Sequence, residues 1–320
     1  MQLNDSHIRP LALSRDLDQV ADLIEGCFPI HLDRDGQTYI QEMRKAAREM
    51  RLFGWLSSLS ELGRDKVPGF VWEEDGRLVG NLSLIPFKNQ GRDIALIANV
   101  AVDPKYRRRG IARALTEHAL GYLRRKGVSQ VWLQVRDDNP AACQLYRSVG
   151  FVDVVTRTTW RIQPNQLVTL EGNFYRDLNI KHRRKEDWVK QKRLLLERYP
   201  LAIRWNLSVD FSRFEPGFIQ GLSNLLDGVH LRHWRVAVKG DTQCFITWQK
   251  TDSFANNLWL AFPEMMEEKF LPGMLKLILN RLNKKRAISI DFPEGQFVAG
   301  FTAIGFRKFR SLIWMKQTLK

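Results

Sequence analysis

The residues best placed to do chemistry form one short run, Arg107-Arg108-Arg109-Gly110-Ile111-Ala112-Arg113. It lies between an apolar segment that stops at Asp103-Pro104 and a stretch with helical periodicity. The first amides of a helix lack intrahelical acceptors and lie at the positive end of its dipole. A turn of this kind can therefore hold a phosphate through several N–H bonds. Gly110 and Ala112 matter because a larger side chain would keep the phosphates off the backbone. Taken alone, the run is also compatible with an ordinary turn carrying solvated arginines. A second set follows it in order, Asn139, Ala142, Leu145, Tyr146, Gly150 and Phe151, just after Val131-Trp132-Leu133-Gln134-Val135-Arg136.

The elements that must position these residues follow from the hydrophobic pattern. Ile94 to Val102 is nearly continuous in apolar residues and reads as a strand buried on both faces. Ile111, Leu115, Ala119, Tyr122 and Leu123 make one apolar stripe of a helix ending near Lys126. Gln130 to Arg136 reads as a strand, Pro140 to Val149 as a helix and Phe151 to Arg161 as a strand. Upstream, a short strand at His7 to Ser14 and helices at Asp16 to Phe28 and Gln37 to Leu59 are expected. Two strands are expected on either side of the hairpin signal Asp75-Gly76.

The second half repeats this order. Tyr175-Arg176-Asp177-Leu178 before a basic helix parallels Ile8-Arg9-Pro10-Leu11, and Leu258 to Pro263 parallels Val100 to Pro104. Gly305-Phe306 before Trp314 parallels Gly150-Phe151 before Trp160. A tandem duplication is expected, with domains at 1–165 and 166–320 and a linker at Gln163-Pro164-Asn165-Gln166. The loop after Pro263 carries Glu264, Glu267 and Glu268 and no arginine-glycine turn, so the second copy is expected to have lost its anion site.

The chain has 320 residues, long enough for two domains, and its 44% hydrophobic content excludes disorder, collagen and coiled coil. No run approaches the length needed to span a bilayer, and Met1 to Asp5 lacks a basic flank followed by an apolar run. A cytoplasmic protein without a membrane partner is expected. Cys27, Cys143 and Cys244 are isolated thiols without metal or disulfide spacing, so no metal is expected. The net charge of +15 points to anionic partners such as phosphorylated cofactors or nucleic acid. Most of the excess lies in residues 166–320, with 26 Lys+Arg against 15 Asp+Glu. The basic run Lys181 to Arg193 reads as a solvated helix face whose Trp188 docks inward, so a nucleic-acid partner is not expected.

Together the two motifs, Arg107-x-x-Gly110-x-Ala112 and Asn139-x-x-Ala142-x-x-Leu145-Tyr146-x-x-x-Gly150-Phe151, resemble the signature of the GNAT superfamily of N-acetyltransferases. Asn99-Val100-Ala101-Val102-Asp103-Pro104 and Trp132-Leu133-x-Val135-Arg136 further resemble the ribosomal-protein alanine N-terminal acetyltransferases. The resemblance covers residues 94–151 well and the rest of the first domain loosely. It implies an α/β fold of α+β type, tandem copies of a mixed, mostly antiparallel twisted sheet flanked by helices. It also implies acetyl-CoA as cosubstrate and a primary amine as acceptor, either a small metabolite or a peptide N-terminus. A monomer of two pseudo-symmetric domains is expected.

Carried over by position, the resemblance implies that the backbone of Val100, Ala101 and Val102 pairs with pantetheine. The amides of Arg108, Arg109, Gly110, Ile111, Ala112 and Arg113, with Arg107 beside them, would hold the pyrophosphate. Asn139 would contact the pantetheine arm, and Tyr146 would lie beside the sulfur as general acid to the departing thiolate. One position departs from the relatives it resembles, which carry a glutamate proposed as general base where this chain has Gln134. An amide takes no proton near neutral pH. The ammonium proton is left to a water chain, to Asp137 or Asp138, or to a carboxylate of the Gln37 to Leu62 region such as Glu42, Glu49 or Glu61. The alternatives are an acyl-CoA-binding regulatory module without turnover and an acyltransferase of the mycothiol-synthase or antibiotic-modifying type.

Overall fold

The computed structural model describes residues 5–28, 34–57, 67–89, 91–164, 166, 178–238, 240–282 and 286–319. Glu61, Asn165 of the expected linker and Tyr175 to Asp177 lie outside the described residues. The chain falls into two compact units: residues 1–135, 139–154 and 314–320 form the first, and residues 136–138 and 155–313 the second.

In the first unit the order is β1 (Ile8–Pro10), α1 (Leu13–Cys27), α2 (Arg34–Ser57), β2 (Gly69–Glu74), β3 (Arg77–Asn89) and β4 (Arg92–Val102). It continues with α3 (Ile111–Arg125), β5 (Gln130–Arg136), α4 (Pro140–Ser148) and the start of β6 (Val152–Ile162). β1 to β4 pair antiparallel in sequence order, and β4 pairs parallel with β5. The parallel step is possible because α3 supplies the crossover. β5 is flanked by the last strand of the chain, whose residues 314–320 belong to this unit. There Leu319 N–H donates to the Ser129 carbonyl at 3.0 Å and Trp314 meets Trp132 edge to face.

The second unit takes up most of β6 and adds β7 (Leu178–His182), α5 (Trp188–Arg198), α6 (Leu201–Arg204), α7 (Phe218–Leu226), β8 (Leu231–Val238), β9 (Asp241–Gln249) and β10 (Ala255–Ala261). It ends with α8 (Leu271–Leu279), β11 (Ala287–Pro293), α9 (Val298–Ala303) and β12 (Arg307–Thr318). Its ladder repeats the first, with β7 to β10 antiparallel and β10 parallel to β11 across α8. β10 and β11 therefore correspond to β4 and β5. Trp188 is buried against Leu194, Leu195, Tyr199 and Phe211, and Lys190, Lys192 and Arg193 are exposed on α5. The basic run is not one helix face, however: Lys181 lies on β7, and Arg183, before the helix, is half-buried and donates to Gln191 and the Phe214 carbonyl.

β4 departs from the expectation of burial on both faces. Ile94, Ala95 and Ile97 are buried, whereas Ala98, Asn99, Val100 and Val102 are half-buried. The change occurs where the strand bulges.

Candidate active site

The bulge is built by three polar residues within apolar runs. The β3–β4 register shifts between Asn81 and Ser83, and Asn99 takes φ +52°. Asn81 is fully buried, and its Nδ2 donates to the Asn99 carbonyl at 2.8 Å. The C=O and N–H of a planar trans peptide point in opposite directions. Turning the Asn99 carbonyl toward Asn81 therefore turns the Val100 N–H away from β3. The Asn99 side chain donates to the Tyr39 hydroxyl at 2.6 Å, which brings α2 to the same place.

On the other side of the bulge β4 leaves β5. The parallel register runs from Ile94–Gln130 to Ile97–Leu133 and stops there, so Val100, Ala101 and Val102 and the end of β5 lie on two sides of an opening. Gln134 is exposed on β5 just past that point. Among the described residues, the polar groups facing Val102 are Cys27, whose thiol donates to the Val102 carbonyl at 3.2 Å, and Arg107, whose Nε donates to it at 3.1 Å. Burial pushes the Cys27 thiol up, with Arg107 opposing.

The basic turn follows. Asp103 accepts from the Lys105 amide and pairs with Arg77, closing a 3₁₀ turn at Pro104–Tyr106. Arg108 and Gly110 then take φ +65° and +80°, with Gly110 as N-cap of α3. Glycine accepts that conformation without strain. The Ala114 amide bonds to the Gly110 carbonyl, and the amides of Ile111, Ala112 and Arg113 find no acceptor among the described residues. Arg109 lies 3.6 Å from Glu74 and over the Tyr106 ring, and Arg113 pairs with Glu117 and donates to Ser148 Oγ. Arg108 has no carboxylate partner among the described residues. Gly80 on β3 sets the height of the helix: a Cβ there would lie 2.9 Å from Ile111 Cγ2 and 3.1 Å from Leu115 Cδ1.

The second motif is a helix with both ends capped. The Asn139 carboxamide oxygen accepts from the Ala142 amide at 3.1 Å, and Pro140 occupies the first turn. At the far end Gly150 (φ +98°) donates to the Arg147 carbonyl and Phe151 N–H to the Tyr146 carbonyl. This is the Schellman pattern, in which the hydrophobic contact between its ends is Phe151 on Tyr146, rings 6.0 Å apart. The spacing Tyr146, Gly150, Phe151 is thus what fixes the Tyr146 side chain. Its ring is 7% exposed and its hydroxyl has no partner among the described residues. Burial pushes the phenol well above its ordinary value, so it is protonated throughout the physiological range.

The carboxylates open as general bases differ in their surroundings. Asp138 is held below the usual range by its hydrogen bonds from Arg136. Asp137 pairs with Lys308 at 2.8 Å, and Glu42 and Glu49 are exposed on α2. No group of His, Cys, Asp or Glu among the described residues could hold a metal ion, and no helix among them is long and apolar enough to cross a membrane. Gly80, Asn81 and Tyr39 were not identified from the sequence, and Asn99 was named there only as part of a motif, without a role. The signal was present for three of them, as a glycine and two asparagines inside strand-like apolar runs.

In the second unit the parallel register of β10 with β11 also stops, after Asn257–Ser289, but the end of β10 beyond it is buried. Leu258 to Ala261 of β10 are all buried, and no register shift interrupts its pairing with β9. Arg198 donates from Nε to the Phe262 carbonyl, and Arg157 is buried between Asp291, the Arg198 carbonyl and the Tyr199 ring. At the start of α8, Leu271, Pro272 and Gly273 are buried and Pro272 has no N–H to offer.

Residues 17–151 match the model of the acetyltransferase (GNAT) family. Among curated relatives, the [ribosomal protein bS18]-alanine N-acetyltransferase of Escherichia coli K12 is 46% identical over 68 residues, 21% of this chain and 46% of the relative. The mycothiol acetyltransferase of Kocuria rhizophila is 31% identical over 157 residues, 47% and 48% of the two chains. The chain thus spans about half the length of the curated relatives it matches. Among solved structures, a GCN5-related N-acetyltransferase from Sphaerobacter thermophilus matches with TM-score 0.57 and 12% identity, covering 99% of this chain and 97% of that one. That likeness shows a shared fold over the whole chain.

Proposed function

We propose that this chain, whose residues 17–151 form a domain of the acetyltransferase (GNAT) family, is an N-acetyltransferase that moves an acetyl group from acetyl-CoA to a primary amine. The observation that carries the reading is the opening between β4 and β5, with the Val100 N–H turned toward it beside free amides at the start of α3. The residues fit the cosubstrate. The amides of Ile111, Ala112 and Arg113 offer donors to a pyrophosphate, and Arg108 offers a cation with no carboxylate partner among the described residues. The edge at Val100 offers hydrogen bonds to an amide-bearing arm, whereas the Val102 carbonyl already accepts from Cys27 and Arg107. Bound there, acetyl-CoA supplies an activated acyl group to direct attack by a neutral amine.

The chain's own residues then do three things. Val100 N–H donates to the thioester oxygen as it gains charge, a service of preorganised donors. Tyr146 donates its hydroxyl hydrogen to the departing sulfur. Burial widens the gap between phenol and thiol acidities, ordinarily about 1.5 pH units, so Tyr146 acts by hydrogen-bonding the sulfur as negative charge builds on it, and the proton that completes the thiol balances the one the attacking amine gives up. Asn139 both caps α4 and would present its free amide nitrogen to the pantetheine arm. Removal of the ammonium proton falls to water or to an α2 carboxylate in preference to Asp138, which Arg136 already stabilises as the anion.

The acceptor is a peptide N-terminus or a small amine. The two curated relatives above are named for a ribosomal-protein alanine and for mycothiol, and Gln134 replaces the glutamate of the former type. We assign acetyl-CoA binding to residues 1–165 alone, with 166–320 as a degenerate copy that acts in the same chain. The burial of the β10 end, with Arg157 and Arg198 packed beside it, supports this assignment. An acceptor screen read by thiol release tests the proposal. Acetyl-CoA binding with no amine-dependent release from any peptide or amine would favour the regulatory alternative.

A further inference from the structure

We propose that the second unit docks on anionic lipid bilayer surfaces through α7. At about 100° per residue, Phe218, Ile219, Leu222, Leu225 and Leu226 fall in one stripe about 120° wide. All five are exposed, Phe218 by 86%, Ile219 by 84% and Leu226 by 78%. The polar stripe faces the protein instead. Asn224 Nδ2 donates to the Arg213 carbonyl at 2.8 Å, and Arg213 Nη1 bonds Ser223 Oγ at 2.9 Å and Asp227 at 2.5 Å. A helix at a water surface has the reverse orientation. The inward hydrogen bonds show that this one is held that way.

A second observation is the charge beside it. A cleft of about 580 Å³ is lined by Gly221, Asn224 and Leu225 of α7 together with Arg183, Arg232 and Lys250, and with Glu215 as its carboxylate. Arg232 and Lys250 have no carboxylate partner among the described residues. Arg183 donates to neutral acceptors, the Gln191 side-chain oxygen and the Phe214 carbonyl, both at 2.7 Å. Glu215 also lines the cleft and Asp187 acts on Arg183, so the apolar ridge stands next to a cluster in which the cations outnumber the carboxylates.

Charge complementarity selects the occupant. A second copy would bring these cations against their own kind, and one nine-residue helix face falls short of the roughly 800 Å² per partner of a stable interface. A bilayer surface offers both halves at once: its acyl boundary receives the protruding side chains and its anionic headgroups meet the cations. The helix is far too short to span and would lie in the plane of the surface. The expectation of no membrane partner rested on spanning segments, which a surface helix does not need.

The test is co-sedimentation of the full chain with phosphatidylcholine vesicles, with and without phosphatidylglycerol. The chain is expected to bind the anionic vesicles at least about tenfold more, with the preference falling as salt is raised. The double variant Phe218→Ser with Leu225→Ser should lose at least about tenfold in binding while its circular dichroism is unchanged, since both residues already face water. Lys250→Glu should lower binding to the anionic vesicles alone. Equal binding to both vesicles, or binding indifferent to the α7 variants, overturns the proposal. So does a monomer–dimer equilibrium moved by the α7 variants in a chain that ignores vesicles, or capture of an acidic peptide by that chain.

Discussion

Replacing Asn81 by alanine should harm catalysis far more than folding. The side chain donates to the Asn99 carbonyl at 2.8 Å and to Ser83 Oγ at 3.3 Å from a fully buried site. Stranding a buried acceptor costs about 1–3 kcal/mol. Asn81 Oδ1 is itself buried without a partner among the described residues, so deleting it offsets part of that cost. A net loss of about 1 kcal/mol is small beside a typical stability of about 5–15 kcal/mol. The catalytic loss follows from the peptide plane. Without Asn81 the 99–100 peptide is free to turn, and the Val100 N–H is no longer fixed toward the opening. Removing one oxyanion donor costs about 10²–10³ in kcat, so Asn81→Ala should lower kcat by between about tenfold and a thousandfold. The KM for acetyl-CoA should change by less than about threefold, because the α3 amides are untouched. The assay is thiol release with a reactive amine, run beside urea denaturation. A variant with wild-type kcat and a lowered denaturation midpoint would refute the reasoning and leave Asn81 a purely structural residue.

Tyr146→Phe should lower kcat by about ten- to a thousandfold with acetyl-CoA affinity altered less, and wild-type turnover in single-turnover experiments would assign thiolate protonation to water. Gly110→Glu should abolish acetyl-CoA binding in calorimetry, because it puts a carboxylate where the α3 amides would meet pyrophosphate. Its backbone at φ +80° adds a stability cost of about 1–2 kcal/mol, and affinity equal to wild type in a folded variant would exclude this site. His233 is pushed down to about 3, by burial and then by Arg183, so it is neutral in the fold and charged in the unfolded chain below its ordinary value of about 6.5. The stability it contributes is present above pH 6.5 and is lost as pH falls toward 3, by about 3–5 kcal/mol, and His233→Gln should flatten that acid limb in denaturation measured against pH. Truncation at residue 165 should unfold the first unit, which loses residues 314–320 and the Trp314–Trp132 contact, and a native-like circular dichroism spectrum of residues 1–165 would contradict this.

Much of the site was legible because its motifs are local. The alternation of apolar run, arginine-glycine turn and helical stripe places β4, the turn and α3 without knowledge of distant contacts. Tyr146, Gly150 and Phe151 are joined by one helix cap. The bulge was not legible, because it depends on a bond between Asn81 and Asn99, which are paired only once β3 and β4 are in register. Burial on both faces was the natural expectation for Ile94 to Val102, and it failed where the strand turns toward the opening. The exchange of residues 314–320 into the first unit was hidden for a similar reason, since a repeat pattern shows where a strand recurs and not which sheet it joins. The inverted face of α7 has the periodicity of any amphipathic helix, and only the folded chain shows which side faces water.

One acetyl-CoA site is proposed for a chain with two copies of the fold. In the first unit the opening past Ile97 and Leu133, the free amides of Ile111 to Arg113 and Gly110 are all present. In the second, Arg157 and Arg198 pack at the corresponding end and Pro272 removes an amide. The loop before α8 carries Glu264, Glu267 and Glu268 in place of arginines, Glu267 pairing with Lys269 and Glu268 accepting from the Gly300 amide. The surplus positive charge of residues 166–320 does not compensate, because it is screened beyond about 8 Å at physiological salt. Native mass spectrometry of the full chain with excess acetyl-CoA counts the sites directly. One equivalent bound, and none in Gly110→Glu, is the predicted result. Two equivalents of similar affinity, or one that survives Gly110→Glu, would contradict it.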